Sequence, residues 1–121
     1  MIRQQDGSNR RRFIRIEEEL PFVIEHQGYE IQAKSVNIST HGVMCRVDRD
    51  IPLMTQLEMI FSLPIVVKFS AKDKIVKAKG VVVRKEEDAV SDKYFIAVYF
   101  SDIKLKDQKI LNEFIEYRIK K

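Results

Sequence analysis

Between Tyr29 and Leu63 the sequence keeps returning to a period of two. Tyr29, Ile31, Ala33 and Ser35 alternate with Glu30, Gln32 and Lys34, and Leu57, Met59, Phe61 and Leu63 alternate with polar residues such as Glu58 and Ser62. Successive side chains on a strand point to opposite faces, so this pattern predicts strands with one dry face and one wet face. Residues 75 to 84 and 94 to 100 are rich in β-branched and aromatic side chains, which predicts two more strands. Strands with unpaired edges invite aggregation, and closing the sheet removes the edges. The expected fold is therefore mainly β: an antiparallel barrel of about six or more strands.

The connections refine this. Leu20 to Ile24 reads as a first strand, Gln27-Gly28 turns it into the next, and that strand exits near Asn37. Re-entry at Val43, Cys45 and Val47 puts a polar turn on the barrel rim. Pro64 is expected to break or bend its strand before Val66 to Phe69, as a bulged or edge strand. Glu86-Glu87-Asp88 reads as the loop of a long hairpin, and Tyr94 to Phe100 as core. Only the end has helical spacing: from Leu105 to Tyr117, Ile110, Leu111, Phe114 and Ile115 share one arc, with Asp107 near the positive helix start. That helix should cover one barrel opening. Residues 1 to 12 hold Gly7, Ser8 and Asn9 among charges and amides, a composition that buries little and predicts a flexible arm. The expected division is an arm over residues 1–15 and a barrel with its helix over residues 16–121.

A length of 121 residues suits one compact domain. The chain lacks an apolar run long enough to span a bilayer and the apolar stretch of a signal peptide, so the expected location is the cytoplasm. One cysteine, Cys45, cannot form an internal disulfide and reads as a packed strand residue. Two separated histidines give no metal spacing, and no Ser/His/Asp order, P-loop or HExxH motif suggests catalysis. No enzyme activity, metal or cofactor is expected. The net charge is only +4, with basic residues crowded at the two ends. Duplex nucleic acid usually meets a broad positive face, whereas a compact cluster suits a small dianion.

That cluster is Arg10-Arg11-Arg12-Phe13-Ile14-Arg15, with Asn37-Ile38-Ser39-Thr40-His41-Gly42 further along. Guanidinium groups can fork onto a phosphate and also stack flat on a base. Asn37 and Ser39 add an amide and a hydroxyl for a base edge, and Gly42 allows positive φ in the turn. The two motifs read together as a receptor for a guanine nucleotide with two phosphates. His41 could titrate or stack nearby, although an exposed role is the simpler reading.

The order and spacing RxxxR then NxSxxG resemble the PilZ domain, a family of bacterial receptors for cyclic di-GMP. The resemblance extends to Leu20-Pro21-Phe22-Val23-Ile24, Ala78 to Arg84, Tyr94 to Phe100 and the closing helix. Asn37 stands where Asp is commoner in the family, and His41 where small residues are common. The resemblance implies Arg11 and Arg15 on phosphates and guanine faces, Asn37 and Ser39 on guanine edges, and Gly42 in the turn. Arg10 resembles the extra arginine of members that take two intercalated ligands. It further implies signalling through ordering of the arm to a downstream protein partner. Two other readings remain: a PilZ-like protein adaptor without ligand, and a small RNA-binding β domain suggested by Lys93 to Phe100. An RRM, however, needs a helix between its first two strands, where this sequence reads as a hairpin.

Overall fold

The computed structural model describes residues 14–120. Arg10, Arg11 and the rest of the expected arm up to Phe13 lie outside the described residues. Six antiparallel strands form a closed barrel in the order β1-β2-β3-β6-β5-β4, followed by one helix. The strands are β1 (Pro21–His26), β2 (Tyr29–Ile38), β3 (Gly42–Val47), β4 (Gln56–Val67), β5 (Ser70–Asp88) and β6 (Lys93–Ile103). The helix α1 spans Leu105–Lys120. The mainly β expectation is met.

The alternation places the core as anticipated except at Tyr29, which starts β2 beside the turn and is exposed. Ile31, Ala33 and Ser35 of β2, and Leu57, Met59, Phe61 and Leu63 of β4, are buried, while their Glu, Gln and Lys neighbours on β2 face water. Phe22 stacks on Phe61 with ring centroids 4.5 Å apart, and Phe100 meets Phe61 edge-on at 6.2 Å. Leu111, Phe114 and Ile115 of α1 join the same cluster and pack against β4 and β5. Gln27 and Gly28 turn β1 into β2 with φ of 52° and 81°. Two positive φ values make the I′ turn that matches the strand twist. This two-residue connection leaves no room for the helix that an RRM requires.

Three expectations are corrected. Pro64 neither breaks β4 nor bulges it, since the register with β5 runs unbroken through Pro64↔Asp73, and of the expectation the edge-strand alternative is the part that holds. Proline is tolerated because β1 pairs with β4 only from Glu58 to Ile60, so at Pro64 the strand has β5 alone as a partner and its missing N–H costs no second ladder. Glu86-Glu87-Asp88 is strand, paired with Phe95, Tyr94 and Lys93, and the hairpin turns at residues 89–92 instead. Their side chains project from the sheet into water, so acidity did not require a loop. Tyr94 to Phe100 is core only at alternate positions: Ile96, Val98 and Phe100 are buried, whereas Tyr99 is half exposed.

Beyond their contacts with β1 and β6, β4 and β5 continue as a ribbon of their own. Phe61 to Val67 pairs with Ser70 to Val76, and β6 reaches β5 only as far as Ala78. One face of the ribbon, with Phe61, Leu63, Ile65 and Val76, is buried.

Candidate functional site

The rim between β2 and β3 is built by a short bridge from the lead-in segment. Ile16 N donates to Ile38 O at 2.9 Å and Ile38 N donates to Ile16 O at 3.0 Å. Slightly further along, Ser35 N donates to Leu20 O at 2.9 Å, Leu20 N donates to Ser35 Oγ at 2.8 Å, and Ser35 Oγ donates to Glu18 O. Buried Ser35 is thereby satisfied and the segment from Ile16 to Leu20 is held along β2. The consequence reaches the motifs: Arg15 Nη1 donates to Asn37 Oδ1 at 3.2 Å, across 22 residues of sequence. Arg15 is itself exposed, so most of its donors face water.

The turn after Ile38 closes on itself. Ser39 N donates to Gly42 O at 2.9 Å, and Ser39 Oγ accepts from His41 N at 3.1 Å and lies 3.4 Å from Gly42 O. Ser39 is buried, so its hydroxyl serves the turn's backbone in this state. Asn37 is half buried; its Nδ2 finds only the weak acceptor Met44 Sδ at 3.9 Å. One amide face is therefore engaged by Arg15 and the other is weakly held. His41 is exposed, with Nδ1 2.9 Å from Thr40 Oγ1, and its carbonyl accepts from Phe100 N at 2.8 Å.

The expectation of positive φ at Gly42 is corrected, since among the described residues positive φ occurs only in other connections, and the glycine is needed for a different reason. It pairs directly with Tyr99 of β6, and a Cβ at Gly42 would come within 2.4 Å of Val98 O. Close approach of two backbones sets this glycine. Outside the turn, Asn37, Met44 and Ala97 form one cross-strand row, and Arg84 of β5 continues it. Met44 and Tyr99 were not visible as neighbours of the site in the sequence, because only the register of β2, β3 and β6 brings them there. Arg46 lies one position removed, its guanidinium 5.4 Å from the Phe95 ring centroid.

Glu18 accepts from Arg118 of α1 through both oxygens, at 2.6 and 3.0 Å. That hydrogen bond raises the pKa of Arg118, whose guanidinium also lies 4.7 Å from the Phe114 ring centroid. Under the β1–β2 turn a hollow of about 730 Å³ is lined by Glu25, Glu30 and Glu58 beside Tyr29 and Lys79. Three carboxylates make it a poor seat for a diphosphate. Cys45, on β3 behind the rim, is buried, and burial pushes its thiol up to about 12. Among the described residues no group of His, Cys, Asp and Glu could hold a metal ion, and no helix is long and apolar enough to cross a membrane.

The structure is thus a closed β-barrel that carries an arginine against a polar strand-exit turn. The family model of the PilZ domain matches residues 9–117, and the chain belongs to the PilZ family, a family of cyclic di-GMP receptors. The solved structure of the Bacillus subtilis inhibitor of motility, MotI/DgrA, is similar, with a TM-score of 0.76 and 25% identity. The match covers 93% of this chain and 53% of that one, so this chain spans about half of that protein's length. No curated protein matches the chain.

Proposed function

We propose that this chain is a cyclic di-GMP receptor of the bacterial cytoplasm that holds the dinucleotide between Arg10, Arg11 and Arg15 on one side and Asn37, Ser39 and Gly42 on the other. The observation that carries this reading is the Arg15 to Asn37 hydrogen bond, which joins the two halves of the motif. Arg11 and Arg15 would engage phosphates and guanine faces. Asn37 would present its amide to a guanine edge, with Ser39 offering its hydroxyl there or keeping the turn in shape. Arg10 would accompany a second, intercalated ligand.

The energetics require both halves. A micromolar complex needs roughly 8 kcal/mol, and each charge-assisted hydrogen bond yields about 1.5 to 3 kcal/mol net. Base stacking on guanidinium adds about 1 to 3 kcal/mol per base by analogy with single-strand binders. Fixing residues of the arm opposes this by about 1 to 2 kcal/mol each. In this reading residues 1–15 form an arm that binding orders against the barrel of residues 16–121, and the ordering is the signal to a downstream protein. Because Ile16 is bridged to Ile38, only the residues before it would need to be ordered.

Isothermal titration with cyclic di-GMP, with GTP and cyclic di-AMP as controls, tests ligand and stoichiometry together. Heat with cyclic di-GMP alone is expected. Amide exchange over the arm should slow on binding, and equal protection in both states would refute signalling by ordering.

A further inference from the structure

The β4–β5 ribbon ends in a two-residue turn, Lys68-Phe69, that the fold itself does not call for. Lys68 sits at φ 56° and is the first central residue, which is the II′ arrangement that favours glycine there. Phe69 follows, fully exposed at 103% of its reference area. A β-branched-free, non-glycine residue at positive φ and a naked aromatic ring are both locally unfavourable. Val66 and Ile75 are also exposed, on the face opposite the buried Ile65 and Val76. Lys68, Lys72, Lys74 and Lys77 surround these apolar groups, with Asp73 as the one acidic residue between Val66 and Lys77.

We propose that this tip is a membrane-contact element that enters an anionic lipid surface. Lys72 and Lys74 lie on the side of Val76, Lys77 lies with Asp73 on the side of Ile75, and Lys68 stands at the apex. The surplus positive charge therefore belongs to the apex and one face, while Val66 and Ile75 are exposed on the other. A flat protein partner would engage one face and leave either the lysines or the exposed Val66 and Ile75 of the other unused. A fluid layer of anionic headgroups surrounds a projecting tip and meets both, while an aromatic ring and alkyl side chains pass between the headgroups. The depth of entry is limited. Behind the tip a cleft of about 260 Å³ is lined by Pro64 and Val66 together with Glu113 and Glu116 of α1, and these carboxylates make the surface next to the ribbon unfavourable to anionic headgroups. Attraction is then confined to the ribbon end, which matches the few lysines available. This contact is independent of whether the rim binds a nucleotide.

The chain has no tryptophan, so Phe69→Trp places a single reporter at the tip. With the full chain and vesicles of phosphatidylglycerol and phosphatidylethanolamine, its emission should shift to the blue and become shielded from iodide, and vesicles of phosphatidylcholine alone should do neither. Co-flotation of the otherwise unaltered protein should fall about tenfold or more in Phe69→Ser, since partitioning scales with buried apolar area. It should also fall in Lys68→Ser/Lys72→Ser. The arginines of residues 3–12 attract anions too, which is why the deciding variants touch only the tip. Unshifted emission, or flotation of Phe69→Ser equal to the parent, would overturn the proposal. Binding to duplex DNA or polyglutamate that depends on Phe69, without a vesicle response, would overturn it in favour of those partners.

Discussion

The β2–β3 rim and the β4–β5 tip are both connections between antiparallel strands, yet they are built on opposite terms. At the rim every unusual residue is held: Ser39 by the backbone of His41 and Gly42, Asn37 by Arg15, and Gly42 by the approach of β6. At the tip Lys68 takes a strained conformation and Phe69 is left in water. A turn whose polar groups are engaged by its surroundings suggests a preformed site, whereas an exposed ring beside a positive-φ lysine suggests a surface kept for something else. Substitutions should therefore cost stability and binding together at the rim, and neither stability nor rim binding at the tip.

The largest expected effect tests the chemistry of the clasp. Arg15→Lys and Arg11→Lys keep the charge but lose the flat fork. Cyclic di-GMP affinity should fall by roughly 10- to 100-fold, the equivalent of one or more charge-assisted hydrogen bonds. Titration calorimetry would read this directly, and Lys variants that bind as the parent does would remove the arginines from the proposed role. Next comes Gly42→Ala. Its Cβ would lie 2.4 Å from a backbone oxygen, which cannot swing aside as a side chain can. A loss of about 1 to 3 kcal/mol in chemical denaturation is expected, as for overpacked sites, together with weaker ligand binding. A normal denaturation midpoint would show that β3 and β6 can separate there, and the contrast with the tip would weaken.

Cys45 probes the dry wall behind the rim. Burial raises its pKa from 9.0 to about 12, so the folded state keeps the proton that the unfolded chain releases above pH 9. Its contribution to stability is complete below pH 9 and is lost as pH rises from there toward 12. Denaturation midpoints should accordingly fall faster with alkali in the parent than in Cys45→Ala, once both are referred to their values at neutral pH. At neutral pH a thiol reagent should modify the native protein no faster than it unfolds. Rapid modification would mean that the rim opens locally.

Much of this was legible in the sequence because period-two patterning reports burial one residue at a time. It located β2 and β4, the Gln27-Gly28 turn, the strand exit at Asn37, and the apolar arc of the helix. It failed where the deciding term is a partner far along the chain. Pro64 looked like a strand breaker because the sequence does not say that β1 stops pairing at Ile60. Glu86 to Asp88 looked like a loop because charge marks exposure, and an exposed strand face is as wet as a turn. The pairing of Glu18 with Arg118 was not legible because its members lie 100 residues apart. At the site, residue types pointed to Asn37, Ser39 and Gly42, but the hydroxyl's engagement in the turn and the reason for the glycine came only with the register of β3 on β6.

The smallest expected effect separates the two regions most cleanly. Lys68→Gly places at the first turn position the residue that a II′ hairpin favours, and relieves a left-handed conformation that costs an L-residue roughly 1 kcal/mol. Glycine also widens the unfolded ensemble, which offsets part of that gain. A net rise of a few tenths of a kcal/mol up to about 1 kcal/mol is expected in denaturation, with cyclic di-GMP affinity unchanged, since no described contact links the tip to the rim. If the variant were instead less stable than the parent, Lys68 would be making an interaction that supports the fold, and the tip could no longer be set apart from the rim. If the variant were more stable and still floated on anionic vesicles like the parent, the lysine at the apex would be dispensable and the aromatic ring would carry the contact with the lysines of β5.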